Sequence, residues 1–341
     1  MPRVLKIHMW PLWFLALFGQ GKSFKANPLI GSHILNRLGL HMIRVLLARA
    51  VAHFRWLLLS SKMPKLLRKA YARDGFCIIT NFLDEHELAA IRQEIRTPGG
   101  TARQMIQGNT ATQRILLDEA FLQTRPSLSA LIHSGSFVDL LEYGAAKACM
   151  PLMYIQRIRN GHLPGSVDPQ KTMHSDTFHP TMKAWLFLED VEQKHGPFTY
   201  VRGSHKLTKA RFNWEYARSC AAGKLRDGYS EKGSFRASPD DLAEMNLPEP
   251  EGITAKAGTL VIANTNGFHG RGDAEDGEGR IEIWAYGRHN PFNPLPGFNL
   301  KFISNIELFF LKAYWRHKDK QAKKRGVKSS WHLIDTNEML D

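Results

Sequence analysis

Residues 172–180 read TMHSDTFHP. His174 and Asp176 are two apart, so on an extended segment both side chains point to one face. Whether the segment is extended depends on its surroundings. LMYIQRIR (152–159), KAWLFLED (183–190), PFTYVRGS (197–204), GITAKAGTLVIAN (252–264) and RIEIWAYGRHN (280–290) are short, β-branched or aromatic, and bounded by Gly, Pro or Asn. That is a strand series with turns. Helical patterns come before it. SKMPKLLRKAYARDG (61–75) stops at Gly75, NFLDEHELAAIRQEI (81–95) follows strand FCIIT (76–80) with Asp84 and Glu87 as a capping box, and SFVDLLEYGAAKAC (136–149) reads as a further helix. An insertion at 205–250 carries a short helix capped at Ser238, and a closing helical stretch lies within 302–325. Helices, then strands, then a helix predict a mainly β fold with flanking helices, a double-sheet jelly roll.

Downstream of the quoted stretch, ANTNGFHGRG (263–272) places His269 just after the strand GTLVIA. Two histidines and one carboxylate from separate strands form the donor set of the non-haem Fe(II) facial triad. Three protein ligands on one face leave room for a bidentate 2-oxo acid and for O2. A lone His-x-Asp is weak, because it arises by chance. Arg280, at the head of RIEIWAYG, strengthens it: a guanidinium fork there can grip the distal carboxylate of 2-oxoglutarate. A fourth ligand would block O2, so His179 reads as structural or substrate-side. His205 reads as a turn residue.

With these residues in place, the chain resembles the phytanoyl-CoA dioxygenase family over about residues 65–290. DGFCIITNFLDEHELAAI looks like the family's opening strand and helix, HSD like its first two ligands, HGPFTYVRGSHK like its core hairpin, and AGTLVIANTNGFHG like the strand with the third ligand. The resemblance implies a double-stranded β-helix, Fe(II), 2-oxoglutarate, O2 and hydroxylation of an unactivated C–H bond. It implies His174, Asp176 and His269 as metal ligands and Arg280 as co-substrate clamp, with Gln156 and Trp185 beside the co-substrate. Halogenases of this fold lack the carboxylate, so Asp176 favours hydroxylation. Arg271 departs from the pattern. It stands where many members carry Ser, and it brings a competing cation toward the co-substrate pocket.

The charge divides the chain into a basic segment (1–62), an oxygenase body (63–300) and a basic helix and tail (301–341). The net charge is +14, yet residues 1–73 hold thirteen Lys or Arg and no Asp or Glu, while residues 74–300 hold 24 basic and 27 acidic. Basic ends call for an anionic partner. MWPLWFLALF (9–18) and HILNRLGLHMIRVLLARAVAHFRWLLL (33–59) are too short or too punctuated by arginine to span a bilayer. They fit two readings: an interfacial helix on an anionic leaflet, or a helical cover on the core. A cleaved signal or a transit peptide ranks below both. Basic runs such as RKAYAR lack interleaved stacking aromatics, so no nucleic acid is expected. Three distant cysteines, Cys77, Cys149 and Cys220, make no disulfide framework, which suggests a reducing, cytoplasmic setting, peripheral on the membrane in the interfacial reading. The expected substrate is a small or lipid-like molecule. A membrane-associated scaffold that keeps the fold without turnover is the rival reading.

Overall fold

The computed structural model describes residues 7–97, 99–299 and 301–340. Eleven strands are described: β1 (Phe76–Ile79), β2 (Ala102–Gln107), β3 (Thr110–Leu116), β4 (Leu152–Arg159), β5 (Met182–Phe187), β6 (Phe198–Tyr200), β7 (Glu251–Ile253), β8 (Leu260–Asn264), β9 (His269–Arg271), β10 (Gly279–Gly287) and β11 (His332–Ile334). The large sheet runs β1-β8-β5-β10-β4-β3-β2-β11 and the small one β7-β6-β9. All pairings are antiparallel. From β4 onward the chain passes repeatedly between the two sheets, which is the double-stranded β-helix of a cupin-like jelly roll.

Period-two alternation sets up the site. In β10, Ile281, Ile283 and Ala285 point into the main core, while Arg280, Trp284 and Tyr286 line a cavity. In β4, Met153 and Ile155 go to the core and Tyr154 and Gln156 to the cavity. In β5, Ala184 and Leu186 go to the core and Lys183 and Trp185 to the cavity. The helices Glu85–Arg96, Pro126–His133 and Gly135–Ala145 cover the core side with Ile91, Leu128 and Leu141, all essentially buried. The Asp84–Glu87 capping box starts the first of these helices, and left-handed Gly75 ends the helix Lys65–Asp74.

The structure refines the reading of the basic segment. The helix Leu40–Leu58 packs on the body, but with its arginines inward: Arg44 is 4% exposed and Arg55 1%, while Leu46, Leu47, Phe54 and Leu57 are about half exposed or more. An interfacial helix was expected to turn its arginines away from the apolar face and toward anionic headgroups. The cause lies in backbone acceptors that need donors. Arg44 donates to the carbonyls of Leu17 and Gly21, and Arg55 to those of Asn290 and Asn293. The tail also differs from a simple helix and extension: after the helix Lys301–Lys324 the chain returns as β11 on the edge of β2.

Candidate active site

His174 and His269 face each other as a hydrogen-bonded antiparallel pair, each backbone N–H donating to the other's carbonyl at 2.9 Å. Side chains of such a pair share one face, and the two rings stand 4.5 Å apart. Asp176, two residues on, follows to the same face, with its N–H bonded to Thr265 O at 2.9 Å. The ligand atoms of His174, Asp176 and His269 all lie within 4.8 Å of one another, and no other such group occurs among the described residues.

Two polar stretches hold this geometry. Asn266 Nδ2 donates to Thr177 O at 2.7 Å, and the Thr181 and Thr265 hydroxyls pair at 2.9 Å, tying the His174 loop to the His269 turn. A Cβ on Gly267 would sit 1.9 Å from Tyr200 Oη, so the turn that aims His269 requires glycine. On the other side, Ser175 N–H donates to Phe235 O, which makes the 205–250 insertion a clamp on the strand.

The donors suit a divalent iron. His174 Nδ1–H donates to Thr172 O at 2.8 Å and His269 Nδ1–H to Gly267 O at 2.9 Å. Each bond fixes the tautomer that leaves Nε2 as an acceptor with its lone pair toward the site. Nε2 of His174 and of His269 lie 3.8 and 3.7 Å from Asp176 Oδ1. Burial, then the neighbouring His269 and Arg236, hold His174 well below the usual histidine range, so the imidazole is neutral. Burial pushes the Asp176 carboxyl up, but Lys183 and the two histidines outweigh it and keep it ionised. Lys183 Nζ forms an ion pair with Asp176 Oδ2 at 2.8 Å and lies within hydrogen-bond reach of His269 Nε2 at 3.4 Å. Two imidazoles presenting Nε2 and one carboxylate make the donor set that Fe(II) takes with open positions to spare.

The three donors open on a cavity of about 500 Å³ that is also lined by Arg280, Gln156, Trp185 and Arg271. Every residue singled out by sequence for metal or co-substrate therefore meets in one space. The pairing inside it was not foreseen. Arg280 Nε donates to buried Glu282 at 2.9 Å, its Nη1 donates to the carbonyls of His195 and Gly196, and its Nη2 makes no protein hydrogen bond among the described residues. Gln156 bridges Arg114 and Glu282. Trp185 stacks on Phe198 at 4.0 Å. Arg271 pairs with Asp168, whose side chain is fully buried, and donates to Thr112 Oγ1 at 3.3 Å. Its guanidinium is thus paired with a carboxylate, as that of Arg280 is with Glu282, and it still lines the cavity. His179 and His205 are buried and bond main-chain carbonyls, and burial lowers them to about 3 and about 4.

Lys22, Arg114, Lys183, Arg288 and Trp331 also line the cavity and were missed. Arg114 and Lys183 occupy cavity-facing positions of strands, a signal available once the alternation is assigned. Lys22 and Trp331 come from the two ends of the chain, and nothing local marks them.

The sequence profile of the family described as Phytanoyl-CoA dioxygenase (PhyH) matches residues 71–273. The chain belongs to this family of non-haem iron dioxygenases, which use 2-oxoglutarate and O2. It is 27% identical over 224 residues to ectoine dioxygenases of Bordetella parapertussis and Bordetella bronchiseptica, covering 59% of this chain and 68% of each relative. Among solved structures, HygX of Streptomyces hygroscopicus with nickel and 2-oxoglutarate bound is 14% identical at a TM-score of 0.42, covering 66% of this chain and 87% of that one. The epimerase SnoN from nogalamycin biosynthesis is 19% identical at a TM-score of 0.42, covering 65% and 81%.

Proposed function

We propose that this chain hydroxylates an unactivated C–H bond of a small or amphiphilic substrate, with His174, Asp176 and His269 holding the iron. The observation that carries the reading is the convergence of two Nε2 lone pairs and one ionised carboxylate on the cavity that also holds Arg280. Bound iron, with 2-oxoglutarate and O2, supplies the oxidation: one oxygen atom enters the substrate C–H bond, the other enters succinate, and CO2 leaves. The chain's own residues prepare the site. Thr172 and Gly267 carbonyls orient the imidazoles. Arg280 offers its unbonded Nη2 edge to the distal carboxylate of 2-oxoglutarate, held in place by Glu282. Gln156 steadies Glu282, and the Trp185–Phe198 stack makes a wall that keeps water from the reacting centre. The test is succinate release by the Fe(II)-loaded protein across panels of acyl, lipid and amino-acid substrates. Absence of joint iron and 2-oxoglutarate binding would leave the scaffold reading.

The clamp gives a separate expectation. Arg280→Lys keeps a cation near Glu282 but loses the planar fork. Its 2-oxoglutarate affinity should fall about tenfold or more, the worth of one charge-assisted hydrogen bond, while metal affinity stays. Unchanged affinity in a calorimetric titration would pass the role to Arg114, whose guanidinium also faces the cavity.

The exposed stripe on the helix Leu40–Leu58 supports peripheral contact with a lipid surface. Ile43, Leu46, Leu47, Phe54, Leu57 and Leu58 recur at helical spacing and are each 47% or more exposed, and Trp10, Phe14 and Phe18 lie exposed in the preceding turns. No helix among the described residues is long and apolar enough to cross a membrane. Full-length protein should float with liposomes, more strongly with anionic lipid. Leu46→Gln with Leu47→Gln removes two side chains worth roughly 1.5–3 kcal/mol each on burial, so the bound fraction should drop at least about tenfold. A full-length chain that stays with the soluble fraction at any lipid composition would end the membrane proposal and leave the oxygenase reading untouched.

A further inference from the structure

The cavity keeps positive charge after every ion pair is set aside. Asp168 matches Arg271, Glu282 matches Arg280, and Asp176 matches Lys183. Lys22, Arg114 and Arg288 line the same space with no ion-paired carboxylate among the described residues. Iron brings two positive charges and 2-oxoglutarate two negative ones, so the cofactor and co-substrate leave that excess unchanged.

Two of these cations gather beside the metal ligands. Lys22 Nζ donates to the main-chain carbonyl of Asp176; burial disfavours its charge, the Asp176 carboxylate favours it, and the positive fields of Arg288, Lys183 and Arg236 oppose it. Tyr286 and Arg288 lie on and just past the end of β10. Lys22 is not carried by a loose tail. Gly21 O accepts from buried Arg44 at 2.6 Å, Phe24 is 4% exposed and stacks on Phe235, and Lys25 N–H bonds Glu231 O at 2.9 Å. Gly233 packs so closely that a Cβ there would meet Lys22 O at 2.2 Å. Holding a half-buried ammonium among three other cations, with the one nearby carboxylate, Asp176, already paired with Lys183, costs stability and contributes nothing to the core. A bound anion offsets that cost.

We infer that Lys22 and Arg288 form an anion subsite beside the metal ligands, and that the substrate carries a phosphate or carboxylate seated there. The inference rests on the oxygenase reading above and makes the N-terminal segment part of the substrate site. Arg114, bonded to Gln156 and flanked by Trp284 and Trp331 at 3.8 and 4.7 Å, belongs with the co-substrate side.

The test titrates methyl phosphate and, separately, acetate into full-length protein loaded anaerobically with Fe(II) and saturating 2-oxoglutarate, read by calorimetry. The visible charge-transfer absorption of the loaded wild type reports the oxygenase reading independently. At least one anion should bind saturably. Lys22→Gln and Arg288→Gln should each weaken it about tenfold or more, the loss of one charge-assisted contact, and Lys22→Arg should retain it. Circular dichroism checks that the variants fold. Methyl phosphate binding alone assigns a phosphate-bearing substrate, and acetate binding alone a carboxylate. No saturable binding, or binding that Lys22→Gln and Arg288→Gln leave unchanged, overturns the subsite even if the absorption band forms. A missing band with Lys22-dependent anion binding overturns the oxygenase reading instead and leaves the subsite.

Discussion

Asp176→Ala should lose Fe(II) binding and succinate release together. Replacing a residue that merely orients a metal ligand costs about 10–100-fold in affinity, so removing a ligand atom should cost more than about 100-fold. The carboxylate contributes the only negative charge among the three donors, and both Nε2 atoms lie within 3.8 Å of its Oδ1. Without it, two imidazoles remain beside the Lys183 ammonium, which then repels the cation. The fold should survive, because the Asp176 N–H bond to Thr265 O and the His174–His269 pairing run through the backbone. Iron binding by equilibrium dialysis, succinate by chromatography and a thermal melt separate these effects. A well-folded Asp176→Ala protein that still binds iron tightly would place the metal elsewhere. His174→Ala and His269→Ala should behave alike.

How much of this was legible in the sequence depended on which face of a strand carried the signal. The convergence of His174, Asp176 and His269 could be read because His-x-Asp obeys period two and His269 follows an apolar run. The β2–β3 hairpin escaped notice. Its strands ARQMIQ and TATQRIL present Met105, Gln107, Thr112 and Arg114 to a polar cavity, so the apolar alternation that marks a half-buried strand is blurred. Strand β9 is three residues long and owes its pairing to β6 and His174 rather than to its own composition. The arginines of residues 37–55 were the least readable. In sequence, Arg44 and Arg55 look like the polar side of an amphipathic helix. In the fold Arg44 satisfies carbonyls of the preceding N-terminal turns and Arg55 those of a loop near residue 290, and leucines take the outside. Those acceptors lie 23 to 28 residues before Arg44 and 235 to 238 after Arg55, outside either helix turn, so local pattern could not reveal them. Arg271 shows the same limit, since its partner Asp168 lies 103 residues away.

Glu215→Gln should destabilise the protein by about 3–5 kcal/mol at neutral pH, the usual result of leaving buried cations without their counter-charge. Glu215 is 1% exposed on the helix Lys209–Ala221. Arg211 Nε lies 3.3 Å from its Oε2, and His41 Nε2 lies 3.1 Å from its Oε1. Arg49, half-buried, adds to the field at Glu215 and donates to Asn266 Oδ1 at 2.6 Å. One carboxylate thus anchors the N-terminal helix to the insertion, and through Arg49 and Asn266 to the turn that aims His269. Burial pushes Glu215 up, but His41, Arg211 and Arg49 outweigh it and bring it down from 4.5 to about 2. A carboxylate lowered by folding stabilises fully above its unfolded value and loses that contribution as pH falls through its folded one. The gap between wild type and Glu215→Gln should therefore be constant above about pH 5 and close between 4.5 and about 2. Denaturant unfolding across that range measures it. A gap that persists at pH 2, or none at pH 7, would mean that the carboxylate does not hold Arg211, His41 and Arg49 together. A loss of iron affinity in folded Glu215→Gln at neutral pH is expected as well, because loosening Arg49 releases Asn266 and, with it, the bond from Asn266 Nδ2 to Thr177 O beside Asp176.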